Sequence, residues 1–549
     1  MAGVVIHTFG GLIPRLNPIT RGPGVARRAL DVRLDNNTLA PWREPLLVHS
    51  EQFDVLGFIR QDCCWLASEK CAQFSLGWPT CPYIFRTGVN DYPEIATFEE
   101  ACVGDYARLG VPCPSVAPSV SLVNSTPVGE TTQMRSYRYT WVNRYDQEGG
   151  GSPPSFSYNV TDGDPVLVTV PPCDVDPAFK VEKIKIYRSG TPFETGGETS
   201  NPQNTEWFLV AVIPCGQTLF TDNIKNINLS AGGGDLAVFT REESLDPPAD
   251  LKSIVTLENG MLAGISGDWI LMSEPFAPHS WPLKLRKRLY DTPLALASIK
   301  DVLYVGTDGH PYTIGATQDC NTNGIQEVYK HREPLPIIST RSMVAGSGAA
   351  YYSSTDGLVA LAGTQARVIS EAVWSKEQWQ KLHPNRMLGA IQDGYYFGFS
   401  DNYGFRLRTA ETEHIDPAKD ALTELSDRPQ ALWRSREGYL YLAIGGEIFQ
   451  WDGGARYRPW TYRSTEYVFG RKTPIAGAYA LFERKGDLTV SLITELGTHT
   501  QKVLDSNIFR APNWMQVAEL AFELTGTAEI KEIAAGTSYK EAYRAGANV

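Results

Sequence analysis

The sequence lacks the short motifs that assign an enzymatic chemistry directly. Its eight histidines stand singly, so neither His-x-His nor the His-Glu-x-x-His of zinc peptidases occurs. Gly-x-Ser-x-Gly and the Walker phosphate loop are also missing. None of the nine cysteines forms a Cys-x-x-Cys pair. We therefore predict no catalytic residues, no cofactor-binding residues and no metal ligands.

Long apolar runs are absent as well. No stretch of about 18 apolar residues occurs, so we predict no membrane-spanning helix and no membrane insertion. The start, MAGVVIHTFGGLIPRLNP, has neither a basic n-region nor an uninterrupted apolar core, and we expect it not to be a signal peptide. An odd number of cysteines in a large chain without such a signal predicts reduced core thiols rather than a disulfide framework.

Positive charge is in short supply. The chain has 50 Lys and Arg against 62 Asp and Glu, a formal net charge of −12. This balance argues against a protein that holds nucleic acid by neutralising phosphates. What the sequence does have is 49 Gly, 36 Pro, 25 Tyr and 13 Trp, which favours turns and strands over long helices. Its 549 residues predict about three or four domains.

One short pattern returns five times between residues 261 and 452. An apolar, β-prone run reaches a turn with glycine, and a second β-prone run leaves it. The copies are MLAGISGDWILMS (261–273), VLYVGTDGHPYTI (302–314), AYYSSTDGLVAL (350–361), YYFGFSDNYGFRLR (395–408) and YLYLAIGGEIFQWD (439–452). The marker glycines, spaced by 42, 48, 47 and 42 residues, are Gly267, Gly309, Gly357, Gly404 and Gly446.

These turns predict hairpins, because tight hairpin turns need positive φ and glycine adopts it without strain. One hairpin per about 40 to 50 residues is the period of a four-stranded propeller blade. We therefore predict an all-β fold, a β-propeller of about six or seven blades, with the five glycines as structural turns. The WD and kelch signatures are absent. An all-β sandwich with evenly spaced turns is the alternative.

Residues 118–223 interrupt this pattern. Five or more short alternating strands, with turn signals every 8 to 20 residues, predict an inserted immunoglobulin- or fibronectin-like β-sandwich. We expect the triple glycine 149–151 to be a hairpin tip, not a phosphate loop, because no helix follows it. The predicted domains are an N-terminal arm with the first propeller strands (1–117), the inserted β-sandwich (118–223), propeller blades (224–460), and closing strands or a C-terminal β-sandwich (461–549).

One helix signal lies inside the repeat region, in WSKEQWQKLHP. Ser375 and Gln378 have the spacing of a capping box, and the pair His383-Pro384 should end the helix after about two turns.

Two basic clusters are candidate partner contacts. They are Arg21, Arg27, Arg28 and Arg33 in the N-terminal arm, and Lys284, Arg286, Lys287 and Arg288 in the run KLRKR. The arm could meet an acidic partner surface or form a solvated strand. The KLRKR run could contact DNA phosphate or an acidic neighbouring ring, or it could be a solvated strand edge.

Six stretches together resemble the nozzle, or tail tubular protein B, family of short-tailed bacteriophages and its packaged-DNA stabilisation relatives. They are RALDVRLDNNTLAPWREP, YARLGVPCPSVAP, YTWVNRYDQEGGGSPPS, ENGMLAGISGDWILMSEPFAPHSWP, WSKEQWQKLHPNRM and ELAFELTGTAEIKEIAAGTS. They span nearly the full length. The large inserted sandwich is a departure from the simplest members, and it leaves the contact partner of the insert open.

The resemblance implies a structural virion protein located in the phage tail and assembled in the host cytoplasm. It implies a propeller-based homohexamer that surrounds the tail channel and lies below an adaptor or head-to-tail connector ring. Tail fibres or further tail proteins would be additional partners. DNA would pass through the channel without specific binding and be retained until ejection. The mildly acidic composition fits a conduit that must let DNA slide.

The alternative function is a cell-surface propeller that binds or cleaves glycans. The turns SSTDG (353–357) and GTDG (306–309) are faintly similar to the Asp-box of sialidases. They lack its Thr-Trp continuation, and Asp-Gly is what any tight turn favours, so we predict a structural role for both.

Overall fold

The computed structural model describes most of the chain and shows an all-β protein. The described residues are 3–17, 24–61, 64–123, 132–190, 206–225, 228–229, 236–237, 245–315, 327–346, 348–409, 422–506, 508–512 and 515–538. The chain divides into two compact units, one of residues 1–72 with 291–549 and one of residues 73–290. Each is described by itself below.

The strands of the first half of the chain fall into three groups. The N-terminal strands are β1 (Gly3–Ile6), β2 (Ala26–Leu30), β3 (Val32–Arg33), β4 (Ala40–Pro41), β5 (Leu46–Ser50), β6 (Gly57–Gln61) and β7 (Cys64–Ser68). Next come β8 (Gln73–Leu76), β9 (Tyr83–Thr87), β10 (Glu94–Thr97), the helix α1 (Phe98–Cys102) and β11 (Ala107–Arg108). The strands of the insert are β12 (Ser119–Leu122), β13 (Thr132–Arg135), β14 (Tyr137–Asn143), β15 (Tyr158–Thr161), β16 (Val166–Thr169), β17 (Val181–Gly190), β18 (Glu206–Pro214), β19 (Leu219–Asp222) and β20 (Leu236–Ala237).

The repeat region contributes five successive groups. They are β21 (Lys252–Thr256), β22 (Leu262–Ser266), β23 (Trp269–Met272) and β24 (Lys287–Arg288); β25 (Pro293–Ile299), β26 (Val302–Thr307), β27 (Tyr312–Gly315) and β28 (Glu327–Lys330); β29 (Val344–Gly346), β30 (Ala349–Ser353), β31 (Leu358–Ala362) and β32 (Gln365–Val368), then the helix α2 (Lys376–Gln380); β33 (Leu388–Gln392), β34 (Tyr395–Phe399), β35 (Gly404–Arg408) and β36 (Thr423–Leu425); and β37 (Ala431–Arg434), β38 (Leu440–Ile444) and β39 (Glu447–Gln450). The last strands are β40 (Trp460–Ser464), β41 (Tyr467–Pro474), β42 (Gly477–Arg484), β43 (Leu488–Thr494), β44 (Gly497–Val503), β45 (Phe509–Arg510), β46 (Gln516–Gly526) and β47 (Glu529–Gly536).

The five repeat copies are the middle hairpins of antiparallel blades. Each copy supplies the second and third strands of its sheet, as in β22–β23, β26–β27, β30–β31, β34–β35 and β38–β39. A lone hairpin cannot bury its apolar face, so successive blades pack their buried faces together. The predicted β-propeller fold is thereby confirmed. Blade-type sheets number five in the first unit and two in the second, counted over the described residues.

In the first unit, the blades follow the chain until the N-terminal segment completes one of them. The inner strands β25, β29, β33, β37 and β6 lie in contact in that order. The blade of β37 to β39 obtains its outer strand from β5, through a register that places Glu447 opposite Ser50. The sheet of β6 and β7 has two strands only. A strand from the start of the chain therefore holds a blade formed about 390 residues later.

The C-terminal strands form two further sheets around one hydrophobic core. One sheet has the order β1-β47-β42-β45. In the other, β40, β46, β43 and β44 follow one another, with β41 beside β46, and β2 joins this sheet to the blade of β33 to β36 through a parallel pairing. Buried residues from both sheets, including Ile6, Trp460 and Phe522, belong to the same core. The described strands from β40 to β47 thus pack as a sandwich that contains the two N-terminal strands β1 and β2.

The second unit contains two blades and the insert. The blades have the orders β8-β9-β10-β11 and β21-β22-β23-β24, and their inner strands β8 and β21 lie together. The insert places the sheets β12-β16-β19 and β14-β17-β18-β20, together with the pair β13-β15, around a core that includes Tyr139, Val168 and Ile186. This is the two-sheet architecture predicted for the insert, with β20 joining its sheet through β18 from beyond the predicted boundary at residue 223.

A disulfide joins Cys173 and Cys215 within the insert, with the Cα atoms 5.4 Å apart. The prediction of reduced core thiols is therefore wrong for this pair. The physical reason is topological: Cys173 in the loop after β16 and Cys215 directly after β18 are brought together by the sandwich, which their 42-residue separation in sequence does not reveal.

Candidate interaction surfaces

Two of the four N-terminal basic residues, Arg27 and Arg33, are already paired within the chain. Arg27 on β2 forms an ion pair with Glu466, with Nη2 2.6 Å from Oε2. Arg33 lies 3.8 Å from Asp35. Arg28 is exposed on the same strand, β2. Arg21 lies outside the described residues. The sequence therefore located basic residues, but Arg27 and Arg33 have partners of their own, and this arm is a strand of the C-terminal sandwich.

Arginine guanidinium groups packed on aromatic rings hold the N-terminal segment against its neighbours. The guanidinium groups of Arg33 and Arg406 lie 5.3 and 5.1 Å from the ring centre of Trp42. Arg406 also lies 3.3 Å from the ring centre of Tyr395, and it donates to both carboxylate oxygens of Asp35 at 3.2 Å. Burial lowers the pKa of Arg406. Ring faces thus take the place of water around this buried cation.

A second buried charge network lies beside it. Arg458 donates to Asp31 at 2.5 Å and to Asp427 at 2.7 Å, and all three side chains are nearly inaccessible to solvent. Asp31 has a φ of 53° and accepts a further hydrogen bond from the backbone N–H of Ser426. Sequence reasoning missed these residues because the network joins positions about 400 residues apart. The carboxylates do not face a partner; they hold the N-terminal segment in place.

The KLRKR run forms the outer strand of a blade and the short helical turn before it. Lys284 lies 3.7 Å from Glu274, and Arg288 lies 3.6 Å from Asp268. Arg286 donates to the backbone oxygen of Trp281, and burial lowers its pKa. The run continues into β24, where Lys287 is half-buried and pairs with Ile270. Lys284 and Arg288 thus have carboxylates of the same chain nearby, and both alternatives for the run, a partner contact and a solvated strand edge, stay predictions.

The five marker glycines differ in role. Gly267 lies in the turn between β22 and β23 with a φ of 54°, as predicted. Gly357 has a φ of 154°, and a Cβ there would lie 2.5 Å from Val368 Cγ1.

The other three do not adopt positive φ. Gly404 is the first residue of β35, so its prediction as a turn is wrong. In the last repeat, Gly445 has the φ of 60°, and Gly446 is needed because a Cβ would lie 2.5 Å from the backbone oxygen of Glu51. At Gly309 a Cβ would lie 2.3 Å from Asp291 Oδ1. Close packing, not left-handed backbone, requires glycine there.

Five polar side chains dock the insert onto the blade of β8 to β11. Glu100 completes the capping box of α1 with Thr97 and accepts hydrogen bonds from Arg144 at 3.0 Å and Tyr145 at 2.9 Å. Asp105 accepts from Arg144 at 2.9 Å and from Lys180. Hydrogen bonds from Lys180 and Arg144 lower the pKa of Asp105. Blade carboxylates and insert cations thus meet at this contact.

The glycine-rich segment after β14 covers a strand edge. The backbone N–H groups of Ser152 and Ser155 donate to the carbonyls of Tyr139 and Tyr137, and the two serine Oγ atoms accept from the N–H groups of the same tyrosines. The chain reverses earlier, at Asp146 with a φ of 55°. The prediction of a hairpin tip at 149–151 is therefore wrong: these glycines lie on the return path, and Gly149 packs against the backbone of residues 111–112.

Two clusters of titratable groups have the composition of an active site. Asp291 accepts hydrogen bonds from Tyr312 at 2.6 Å and Lys330 at 2.8 Å, with His310 at 3.5 Å. The pKa values of Tyr312 and Lys330 are raised, the former chiefly by burial and the latter chiefly by the hydrogen bond to Asp291. Neither the Tyr312 hydroxyl nor the Lys330 amine is activated as a nucleophile or a base, because activation would require a lowered pKa.

In the second cluster, the exposed side chains of His383 and Arg386 both form hydrogen bonds with the carboxylate of Asp401. His383 has a φ of 53° and lies shortly after the helix α2. The capping box predicted for this helix, with Ser375 and Gln378, is confirmed. Within the described part of the chain no group of three or more His, Cys, Asp or Glu could hold a metal ion.

No protein-family model matches the chain, and no curated protein matches it. Among solved structures, it is similar to the Cps50 (Swd1) β-propeller domain of Myceliophteria thermophila, with 9% identity, 61% of this chain and 90% of that chain covered, and a TM-score of 0.25. It is also similar to PorZ of Porphyromonas gingivalis, a surface component of the type-IX secretion system, with 11% identity, 90% and 77% covered, and a TM-score of 0.26.

A third similar structure is the AfRom2 CNH domain, with 9% identity, 56% and 93% covered, and a TM-score of 0.25. The fold assignment rests on the sheet topology. Across the described ranges, no helix is long and apolar enough to cross a membrane.

Proposed function

We propose that the chain is a structural protein of a short-tailed phage tail, the nozzle or tube ring that conducts and retains packaged DNA until ejection. The resemblance of the six sequence stretches is the source of this proposal. The ring would be a homohexamer in the virion tail, below a connector ring, with tail fibres or further tail proteins as outer partners. DNA would pass through without specific binding, and the chain would not be an enzyme.

The observation that carries the proposal is the internal pairing of four of the eight basic residues in the two clusters. Arg27, Arg33, Lys284 and Arg288 each have a carboxylate of the same chain within 4 Å. A protein that grips DNA releases counterions by presenting unpaired Lys and Arg to phosphates. A conduit needs the reverse, because each phosphate contact would slow the passing duplex. The paired cations and the net charge of −12 support a conduit.

The side chains of the titratable clusters support a structural role. Asp291 and Asp401 orient their neighbours through hydrogen bonds, and the buried Arg406 and Arg458 anchor the N-terminal segment. These contacts make the blades and the sandwich of the first unit rigid, which a ring under the pressure of packaged DNA requires.

The test is quantitative mass spectrometry of purified particles of the phage that encodes the chain. We expect the chain in tail-containing particles at about six copies per particle, from the hexamer that the resemblance implies. Tailless heads are the matched control and should lack it. Absence of the chain from tailed, infectious particles would contradict the proposal.

The alternative of a glycan-binding propeller would need an aromatic ring with a free face. One aromatic cluster of the first unit surrounds Trp65, near Trp433 and Tyr441. His49 stacks on Trp65 at 5.9 Å, and the Arg60 guanidinium lies 5.4 Å from its ring centre. These neighbours occupy the ring of Trp65, so this cluster does not favour the alternative.

A further inference from the structure

In the part of the chain that the structure describes, the two outer strands of the insert's three-stranded sheet, β12-β16-β19, have no strand paired on their outer sides. Val123 N–H donates to the carbonyl of Pro165, and Val170 N–H donates to the carbonyl of Thr218. Since hydrogen bonding alternates along an antiparallel ladder, Ser119 and Ser121 face β16, and the backbone groups of Val120 and Leu122 face outward. By the same alternation, the backbone of Leu219 and Thr221 on β19 faces outward.

The exposed side chains on both of these strands are uncharged. Leu122 and Leu219 are 42% and 51% exposed. The stretch 109–129, which contains β12, has no Asp, Glu, Lys, Arg or His. Natural proteins blunt strand edges with charges, prolines or covering segments, because an open edge templates pairing with another chain. The same insert covers the edge of β14 with Ser152 and Ser155, whereas no described strand pairs with the outer edge of β12 or β19.

We propose that β12 of one copy of this chain pairs with β19 of a second copy and continues the sheet from subunit to subunit. Both strands run antiparallel to β16, and therefore parallel to each other. A neighbour related by rotation can thus place its β19 beside β12 in the parallel orientation. Such a contact joins two different surfaces, which is the heterologous interface that closes a cyclic ring.

The choice of β19 as the strand that pairs with β12 follows from the match between the two strand edges. An uncharged, apolar edge is matched by another of the same kind, and β19 has Leu219 and Thr221 exposed, with its one acidic residue, Asp222, fully buried. On β19, the carbonyl of Leu219 accepts a side-chain hydrogen bond from Gln217, which leaves Thr221 as the pairing residue nearest the middle of the strand. The inference rests on the ring of the proposed function and names its subunit contact.

Proline substitutions test the pairing, because they remove one outward N–H and leave the ladder to β16 intact. The two variants are Leu122→Pro on β12 and Thr221→Pro on β19. Leu122→Ala is the matched control, since it shortens the same side chain and keeps the N–H. Mass photometry of the full chain gives the oligomeric state, and thermal melting verifies that each variant is folded.

We expect wild type and Leu122→Ala to form rings, and each proline variant to be a folded monomer. An equimolar mixture of the two proline variants should form dimers, because one intact β12 then meets one intact β19, and should not form rings.

If Leu122→Pro forms rings as the wild type does, the strand pairing is wrong, and the proposed function is not contradicted. Dissociation by Leu122→Ala as well would show that the side chain, not strand pairing, makes the contact. A monomeric wild type would overturn both the pairing and the ring.

Discussion

At the scale of single residues, Gly357 illustrates why a turn glycine is required. A valine there would bring Cβ within 2.5 Å of both Val368 Cγ1 and Ser370 Oγ, at a φ of 154°. We expect Gly357→Val to lower the free energy of unfolding by roughly 1 to 3 kcal/mol. Gly315→Val is the control, because a Cβ there meets no atom within 4 Å. Equal melting temperatures for the two variants would contradict the account.

The lowered pKa of Asp291 predicts that the free energy of unfolding decreases in acid. Burial tends to raise the pKa of Asp291, but hydrogen bonds from Lys330, Tyr312 and His310 outweigh burial and lower the pKa to about 2. The unfolded carboxyl titrates near 3.9. Because the folded pKa is the lower one, this stabilisation is complete above pH of about 4 and is lost as the pH falls through about 2.

Thermal melts between pH 5 and pH 2 measure this effect. We expect Asp291→Asn to melt lower than wild type at pH 5, and the difference to shrink towards pH 2. A constant difference across the range would show that the Asp291 carboxylate does not contribute in this way.

The sequence predicts residue roles well where they depend on local geometry. The capping box of Ser375 with Gln378 and the turn at Gly267 are local, and both are confirmed. The roles of Arg406 and Arg458 depend on partners about 370 and 430 residues away, so no window of sequence contains them. Gly446 is an intermediate case. The sequence predicts that glycine is needed there, but the physical reason, the closeness of a neighbouring backbone oxygen, comes from the packing.

At the scale of elements, the insert is predicted to fold by itself. Of its buried hydrophobic core, Val111 alone lies outside residues 118–223. The buried ion pair of Arg188 with Asp222 and the disulfide of Cys173 with Cys215 are internal to it. We expect the fragment 118–223 to give a dispersed amide NMR spectrum, and deletion of the insert to leave a soluble propeller.

A fragment that begins at residue 111 is the comparison, because it restores Val111 and the contact of Gly149 with the backbone of residues 111–112. Collapsed spectra for both fragments would show that the insert depends on the blade that it contacts through Glu100 and Arg144.

Element types were predictable because periodicity and turn chemistry are local signals. The five repeat copies each became a blade hairpin. What the sequence could not predict is which strand completes which sheet. The outer strand β5 joins a blade about 390 residues away, and β2 pairs in parallel with β36, because hydrogen-bonding partners of an edge strand are chosen by tertiary packing.

At the scale of the whole molecule, the charge balance predicts weak DNA binding. The net charge is −12, and Arg27, Arg33, Lys284 and Arg288 are paired internally. We expect weak or no duplex binding in a gel-shift assay at about 150 mM salt. Glu274→Gln combined with Asp268→Asn unpairs the KLRKR run and should strengthen binding. A submicromolar dissociation constant for the wild type would contradict the conduit.

The central claim is that copies of this chain assemble into a ring around a channel. Electron microscopy of the purified full-length protein tests it most directly, because class averages show the symmetry and the central hole without any assumption about a partner. We predict closed rings with about six subunits and an open centre. Isolated globular particles at all protein concentrations, with no ring classes, would contradict the claim.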